Sequence, residues 1–241
     1  MRIPDDILDP LNCALNESRL TQFSLDRELK KVTIVLETVA MNQDGTIPDD
    51  SRVVITFHNV CRLAGKLKHG IWNDESARIE TLQPEELTER LRNFNGHTMY
   101  GWDFINVENS DKEFQKWEAD ASFDLELSDC KKDVNTIDIF SEHYSQKSKT
   151  LDLRVWFEEL DFRSITGLPM TTKEFIDRGI RGWNAVYNGH KGMTKVSGIV
   201  AAGSDEKENN NTQQKGANQA RHLHKTQGNL LLKFWSRLTK K

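Results

Sequence analysis

The chain predicts an α+β fold, mainly antiparallel β, with seven or eight strands as a sandwich or curved sheet, a short helix near 84–94 and a packing helix near 171–188. Three observations predict it. Short segments in which apolar residues alternate with polar ones recur as far as Phe157. Polar links join them without a repeated strand–helix alternation, which disfavours a doubly wound α/β sheet. Only in a few places does the apolar period lengthen to that of a helix.

Residues 1–27 hold little periodicity and are expected to give a short leading strand and a turn. In KKVTIVLETV, Val32, Ile34 and Leu36 share one face, as strand residues do. Asp44-Gly45 signals a turn, and RVVITFHNV then repeats the alternation with Val53, Ile55 and Phe57, so a long-looped hairpin is expected. CRLAGKLKHG extends the sheet as a third strand. In TLQPEELTERLRNF the apolar residues Leu87, Leu91 and Phe94 fall at helical spacing behind Pro84, with Asn95-Gly96 as the stop. HTMYGWDFINV, ASFDLELSD, VNTIDIF and LDLRVWF read as further strands. Thr171 and Glu174 have capping-box spacing before a stripe of Phe175, Ile176, Ile180, Trp183 and Tyr187, and Gly189 ends that helix. Gly179 and Gly182 weaken the helix by about 1 kcal/mol each relative to Ala and are expected to permit close approach to the sheet.

Three units are expected: a β-rich globular domain with its helix over 1–200, a disordered polar linker over 201–228, and a basic amphipathic terminal helix over 229–241. The linker lacks aromatic and β-branched apolar residues. The terminal helix places Leu230, Leu231, Phe234, Trp235 and Leu238 on one face. That face either docks on a partner groove or an anionic lipid surface, or packs on its own domain; a helix this short needs some surface to fold upon.

Charge divides the chain. All 37 acidic residues lie at or before Glu208, against 26 basic ones, which leaves this part at −11, while the seven basic residues beyond it give the tail +7. An acidic body repels nucleic acid and favours basic partners, so binding of nucleic acid is not expected. With no run of about 18 apolar residues no membrane span is expected, and membrane contact is confined to the tail. The acidic, proline-bearing start lacks the apolar stretch of a secretory signal, and a cytoplasmic location is expected. Cys13, Cys61 and Cys130 are odd in number and far apart, so neither a disulfide nor a zinc site is expected.

No nucleophile elbow, phosphate-binding glycine loop or dinucleotide fingerprint occurs, and no cofactor is expected. His222 and His224 lack a neighbouring third ligand, and the other histidines stand singly. Asp124 and Glu126 share the solvent face of a strand, and Glu158, Glu159 and Asp161 follow another; their default role is a solvated acidic surface. Asp103 needs a partner if its strand face is buried, and is ordinary if Tyr100, Trp102 and Phe104 are inward instead. Trp156 alternates away from Leu153 and Val155. It belongs either to an exposed aromatic patch or to a second core layer under the helix at 171–188.

The order FSLDRELKKVTIVLE, VVITFHNVCRLAG, LDLRVWFEELDF, with its FHNV and late WFEEL, resembles small bacterial β-rich proteins of unknown function, some associated with polymorphic-toxin immunity loci. The resemblance carries no catalytic motif. It implies an inhibitor whose acidic body meets a basic toxin domain. The expectation is therefore a non-enzymatic protein-binding domain contacting its partner through Asp124, Glu126, Trp156, Glu158 and Glu159, with Phe234 and Trp235 as tail contacts. The alternatives are an adaptor docking through its basic C-terminal helix and an unrecognised hydrolase using carboxylates or His58.

Overall fold

The structure, a computed structural model, describes residues 2–71, 73–94, 104–143, 148–190 and 192–193. Helix α1 (Asp5–Leu15) leads into β1 (Arg19–Asp26), β2 (Lys31–Glu37), β3 (Arg52–His58), β4 (Arg62–His69) and β5 (Arg78–Glu80). A 3-10 turn at Pro84–Glu86 and α2 (Leu87–Phe94) follow. Next come α3 (Ser110–Glu118), β6 (Phe123–Glu126), β7 (Asn135–His143), β8 (Lys149–Phe157), β9 (Glu159–Ser164), β10 (Pro169–Met170) and α4 (Thr172–Tyr187). The fold is α+β and mainly β, with its strands in two antiparallel sheets.

One sheet has the order β1-β2-β3-β9-β10 and the other β5-β4-β8-β7. Strand β6 pairs with β4 over Arg62–Gly65 and β5 pairs with it over Leu67–His69. Because β8 occupies the other side of β4, the two short strands share one of its edges. Alternation sets the core. Val32, Ile34, Leu36, Val53, Ile55 and Phe57 from the first sheet meet Leu63, Leu67, Ile137, Ile139, Leu151, Leu153 and Val155 from the second in a single buried cluster. Each such side chain contributes roughly 1.5–3 kcal/mol by leaving water.

The two sheets are stitched at one corner. β3 passes into β4 through Asn59, Val60 and Cys61 alone, and β8 into β9 through Glu158 alone. The crossings run side by side, since β3 pairs with β9 and β4 with β8. At the joint the Cys61 N–H donates to the Trp156 carbonyl at 3.0 Å, and the Glu158 N–H to the His58 carbonyl at 3.1 Å. Phe57 and Phe157 meet there with centroids 4.8 Å apart.

Several expectations are corrected. The strand and turn expected in residues 1–27 are β1 and the turn after it, but helix α1 precedes them, with Leu11, Ala14 and Leu15 fully buried and Ile7 and Leu8 packed against the core. Pro10 lies inside this helix and breaks up its sequence pattern. Glu159–Ser164 is a strand of the first sheet rather than a tail to β8. Of the strand expected at 97–107, the described part contributes one bridge, Ile105 to Ile137. Asp103, Tyr100 and Trp102 lie outside the described residues, as do the expected linker and terminal helix.

The expectation of unpaired thiols is also overturned. Cys61 and Cys130 form a disulfide with Cα atoms 5.2 Å apart, and Cys13 is free. Their separation of 69 residues leaves no local pattern, but pairing of β6 with β4 brings the following loop back, where the Leu127 and Ser128 N–H groups reach the Cys61 carbonyl. Burial pushes the Cys13 thiol up to about 11.

Helix α4 starts as its sequence predicts, with the Glu174 N–H donating to the Thr171 hydroxyl at 3.1 Å, and Gly189 follows its end at φ +73°. Its two glycines permit close approach to other partners than the sheet. A Cβ on Gly179 would fall 2.5 Å from Ala14 Cβ in α1, and one on Gly182 would fall 2.8 Å from the Ala40 nitrogen. Helix α2 covers the free edge of β1, where the Thr88 hydroxyl donates to the Phe23 carbonyl and accepts its N–H.

Candidate functional site

Two regions gather functional chemistry, at opposite ends of β4 and β8. The first is the corner. On the outer face of the second sheet, β4 presents Arg62 and β8 presents Arg154 and Trp156, in cross-strand register with Asp138 on β7. Helix α3 closes over them. Phe114 packs edge-on against Trp156 at 5.0 Å and against Trp117 at 4.6 Å. The Arg62 guanidinium lies 4.9 Å from the Phe114 ring and 5.0 Å from the Trp156 ring, and that of Arg154 lies 5.3 and 5.7 Å away.

Both arginines are neutralised. Arg62 donates to Asp124 at 2.8 and 2.5 Å and to Glu118 at 2.8 Å, and chiefly the Asp124 bond raises its pKa further. Arg154, whose side chain is 2% exposed, grips Asp138 at 2.5 and 2.6 Å and donates to the Ser110 carbonyl at 2.5 Å. Burial raises the Asp138 pKa against the opposing pull of Arg154. This packing corrects the picture of an exposed Trp156: the residue is 6% exposed. It sits in a second core layer, but under α3 rather than under the helix at 171–188, together with Cys61, Ala64 and Phe114.

The predicted acidic residues separate into two kinds. Asp124 is taken up by Arg62, and Glu158, at the β8–β9 joint, pairs with Lys131 at 2.6 Å. Glu126 and Glu159 are exposed and form no ion pair among the described residues. Asp129 and Asp133, exposed in the loop after β6, are likewise unpaired among the described residues, and sequence reasoning passed over them. The Cys61–Cys130 bond and the Lys131–Glu158 pair fasten that loop to the corner. Phe234 and Trp235 lie outside the described residues.

His58, the candidate base, ends β3 on the outer face of the first sheet, 3.5 Å from Asp161 Oδ1, with both side chains about two-fifths exposed. Among the described residues no group of three or more His, Cys, Asp or Glu is placed to hold a metal ion. No described helix is long and apolar enough to cross a membrane.

The second region is a cleft of about 700 Å³ at the far rim, lined by His69, Gly70, Ile71, Asp74, Arg78, Ser148 and Lys149. Here the inward rows of β4 and β8 run out of core: Leu67 and Leu151 are buried, and the next inward positions are His69 and Lys149. The His69 Nε2–H donates to Glu80 Oε2 at 2.6 Å, and Arg90 reaches the other oxygen at 3.1 Å. Chiefly the His69 bond holds the Glu80 carboxyl below its usual range. The Thr150 hydroxyl donates to the Gly70 carbonyl at 2.9 Å and ties the start of β8 to the end of β4. Neither His69 nor its neighbours share a motif in sequence; strand register assembles them.

Comparison with protein families, curated proteins and solved structures returned no match.

Proposed function

We propose that the chain is a non-enzymatic protein-binding domain whose contact surface is the acidic corner formed by the β3–β4 and β8–β9 joints and the loop after β6. One observation carries this reading. Glu126, Asp129, Asp133 and Glu159 are exposed and lack ion pairs among the described residues, on strand ends and on a loop that the Cys61–Cys130 bond ties to the corner. Lys30, Arg62, Lys131 and Lys132 are the opposing charges there, fewer than the acidic groups Asp124, Glu126, Asp129, Asp133, Glu158 and Glu159, so the corner is negative on a body that is acidic as a whole. A prearranged surface of one sign speeds the encounter with a partner of the other sign and loses little side-chain freedom on binding.

The partner is then a protein with a basic face. The most concrete version is an immunity-type inhibitor that occludes the basic active face of a co-encoded toxin. Trp156 contributes by supporting the corner from beneath, not by touching the partner. The disulfide bears on location. Such bonds persist in oxidising compartments and are rare in the cytosol, so it favours an oxidising compartment over the cytoplasmic one the composition suggests.

The test is association with the product of the adjacent gene, followed by surface plasmon resonance in low and high salt. Reversing Glu126 and Glu159 to lysine is expected to slow association by about tenfold or more at low salt and to leave the melting temperature unchanged. Unchanged association by that variant removes the corner as the contact surface.

A further inference from the structure

We propose that the rim cleft between β4, β5 and β8 binds a small phosphate-bearing molecule, its phosphate held by Arg78 and Lys149 and its apolar body resting on Ile71. The inference is independent of the protein-binding corner. β4 spans eight residues from Arg62 to His69, which puts the two regions about 20 Å or more apart.

The charge arrangement is the first support. The chain carries 37 acidic against 33 basic residues, and most described arginines are paired with carboxylates. Arg78 and Lys149 both line the cleft and neither forms an ion pair with a described carboxylate. The nearest acidic group of β5, Glu80, is already engaged by His69 and Arg90. Asp74, the acidic member of the lining, stays ionised: its Oδ1 accepts from the N–H and hydroxyl of Ser76 at 3.0 and 2.7 Å, bonds that with Lys68 nearby hold its carboxyl below the usual range. The lining therefore sets two cations, Arg78 and Lys149, against the one carboxylate of Asp74, and a bound anion would balance the excess.

Geometry is the second. A guanidinium and an ammonium line one recess, with the Arg78 Nη2 3.2 Å from the His69 ring nitrogen. That nitrogen already gives its proton to Glu80, so it is no acceptor for Arg78, whose donors stay available to a ligand. A tetrahedral group with several acceptor oxygens can answer such divergent donors at once, and arginine forks suit it. The volume of about 700 Å³ exceeds that of an inorganic ion and fits a drug-sized molecule. Ile71, 41% exposed, is an apolar side chain left at the rim that a ligand body would cover.

Phenyl phosphate carries both features and is the probe, with inorganic phosphate and phenol as its separate halves. Amide shifts of the full-length protein are followed by NMR during titration. The expected result is saturable shifts at residues 69–71, 78 and 148–149, tighter for phenyl phosphate than for phosphate and absent for phenol. Arg78→Glu with Lys149→Glu is expected to weaken binding by about tenfold or more for each charge-assisted hydrogen bond removed. Arg78→Gln is a milder second variant, should the double reversal disturb folding. The proposal is overturned if the shifts do not saturate in the millimolar range, if they fall elsewhere, or if both variants bind as the parent does. Equal binding of phosphate and phenyl phosphate overturns the role of Ile71.

Discussion

Replacing Arg154 with methionine tests whether the charged layer under α3 is part of what holds the corner together. The substitution removes two hydrogen bonds to Asp138 and one to the Ser110 carbonyl and keeps most of the apolar stem. It leaves Asp138, a carboxyl that burial already disfavours in its charged form, without its counter-ion. Breaking a buried pair on one side costs about 3–5 kcal/mol, and the 30% exposure of the Asp138 side chain argues for the lower end, about 3 kcal/mol. Asp138→Asn is expected to cost about 2 kcal/mol, and the double change Arg154→Met with Asp138→Leu less than the sum of the two, because both buried charges then disappear together. Urea unfolding followed by tryptophan fluorescence measures all three. The sign of the pH effect follows. A carboxyl whose folded pKa lies above its unfolded one favours the fold when protonated, so the penalty of Arg154→Met shrinks as pH falls below neutrality. A loss under about 1 kcal/mol in Arg154→Met, or additive single changes, refutes the reasoning.

Three further outcomes are expected. Burial, against the pull of Lys66 and Lys68 and with the push of Asp138 and Glu142, raises Asp152 to about 6; its contribution favours the fold at low pH and is lost as pH rises from about 4 to about 6. Asp152→Asn should therefore gain on the order of 2 kcal/mol relative to the parent at neutral pH and nothing near pH 4, as read from urea midpoints. Gly182→Ala, whose Cβ would meet the Ala40 backbone at 2.8–2.9 Å, should lower stability by about 1–3 kcal/mol in spite of the helix propensity it adds, which a melting curve decides. Thiol titration in denaturant should count one thiol per chain before reduction and three after, and Cys130→Ser should cost about 3–4 kcal/mol for a bridge spanning 69 residues.

Legibility in the sequence followed how much local pattern each element carries. β2, β3 and α4 were readable because one face of each is apolar and fully buried, so that Val32, Ile34 and Leu36, or Phe175, Ile176 and Trp183, recur at the period of their element, although Val35 on the other face of β2 is buried too. α3 offers only Phe114 and Trp117 in nine residues, too few for a stripe, and its role as a lid over Trp156 rests on long-range packing. α1 has a fair apolar face that Pro10 disguises. β9 follows β8 without a glycine or proline to mark a boundary, because the chain changes sheets in a single residue. At the corner, alternation placed Asp124 and Glu126 outward, but that Asp124 is consumed by Arg62 depends on the pairing of β6 with β4. The same dependence hid the disulfide and the rim cleft, whose members come from strands far apart in the chain.

The paired crossings have a consequence for how the molecule comes apart. β3 with β4 and β8 with β9 amount to one bent two-stranded ribbon running through both layers, so neither sheet has a central strand of its own. β1, β2 and β3 pair in chain order, but joining β3 to β9 and β4 to β8 brings together segments roughly a hundred residues apart, which slows completion of both layers. Severing the polypeptide between β4 and β5 would yield two pieces, each holding half of the ribbon, so that neither could complete its sheets until the other was added back.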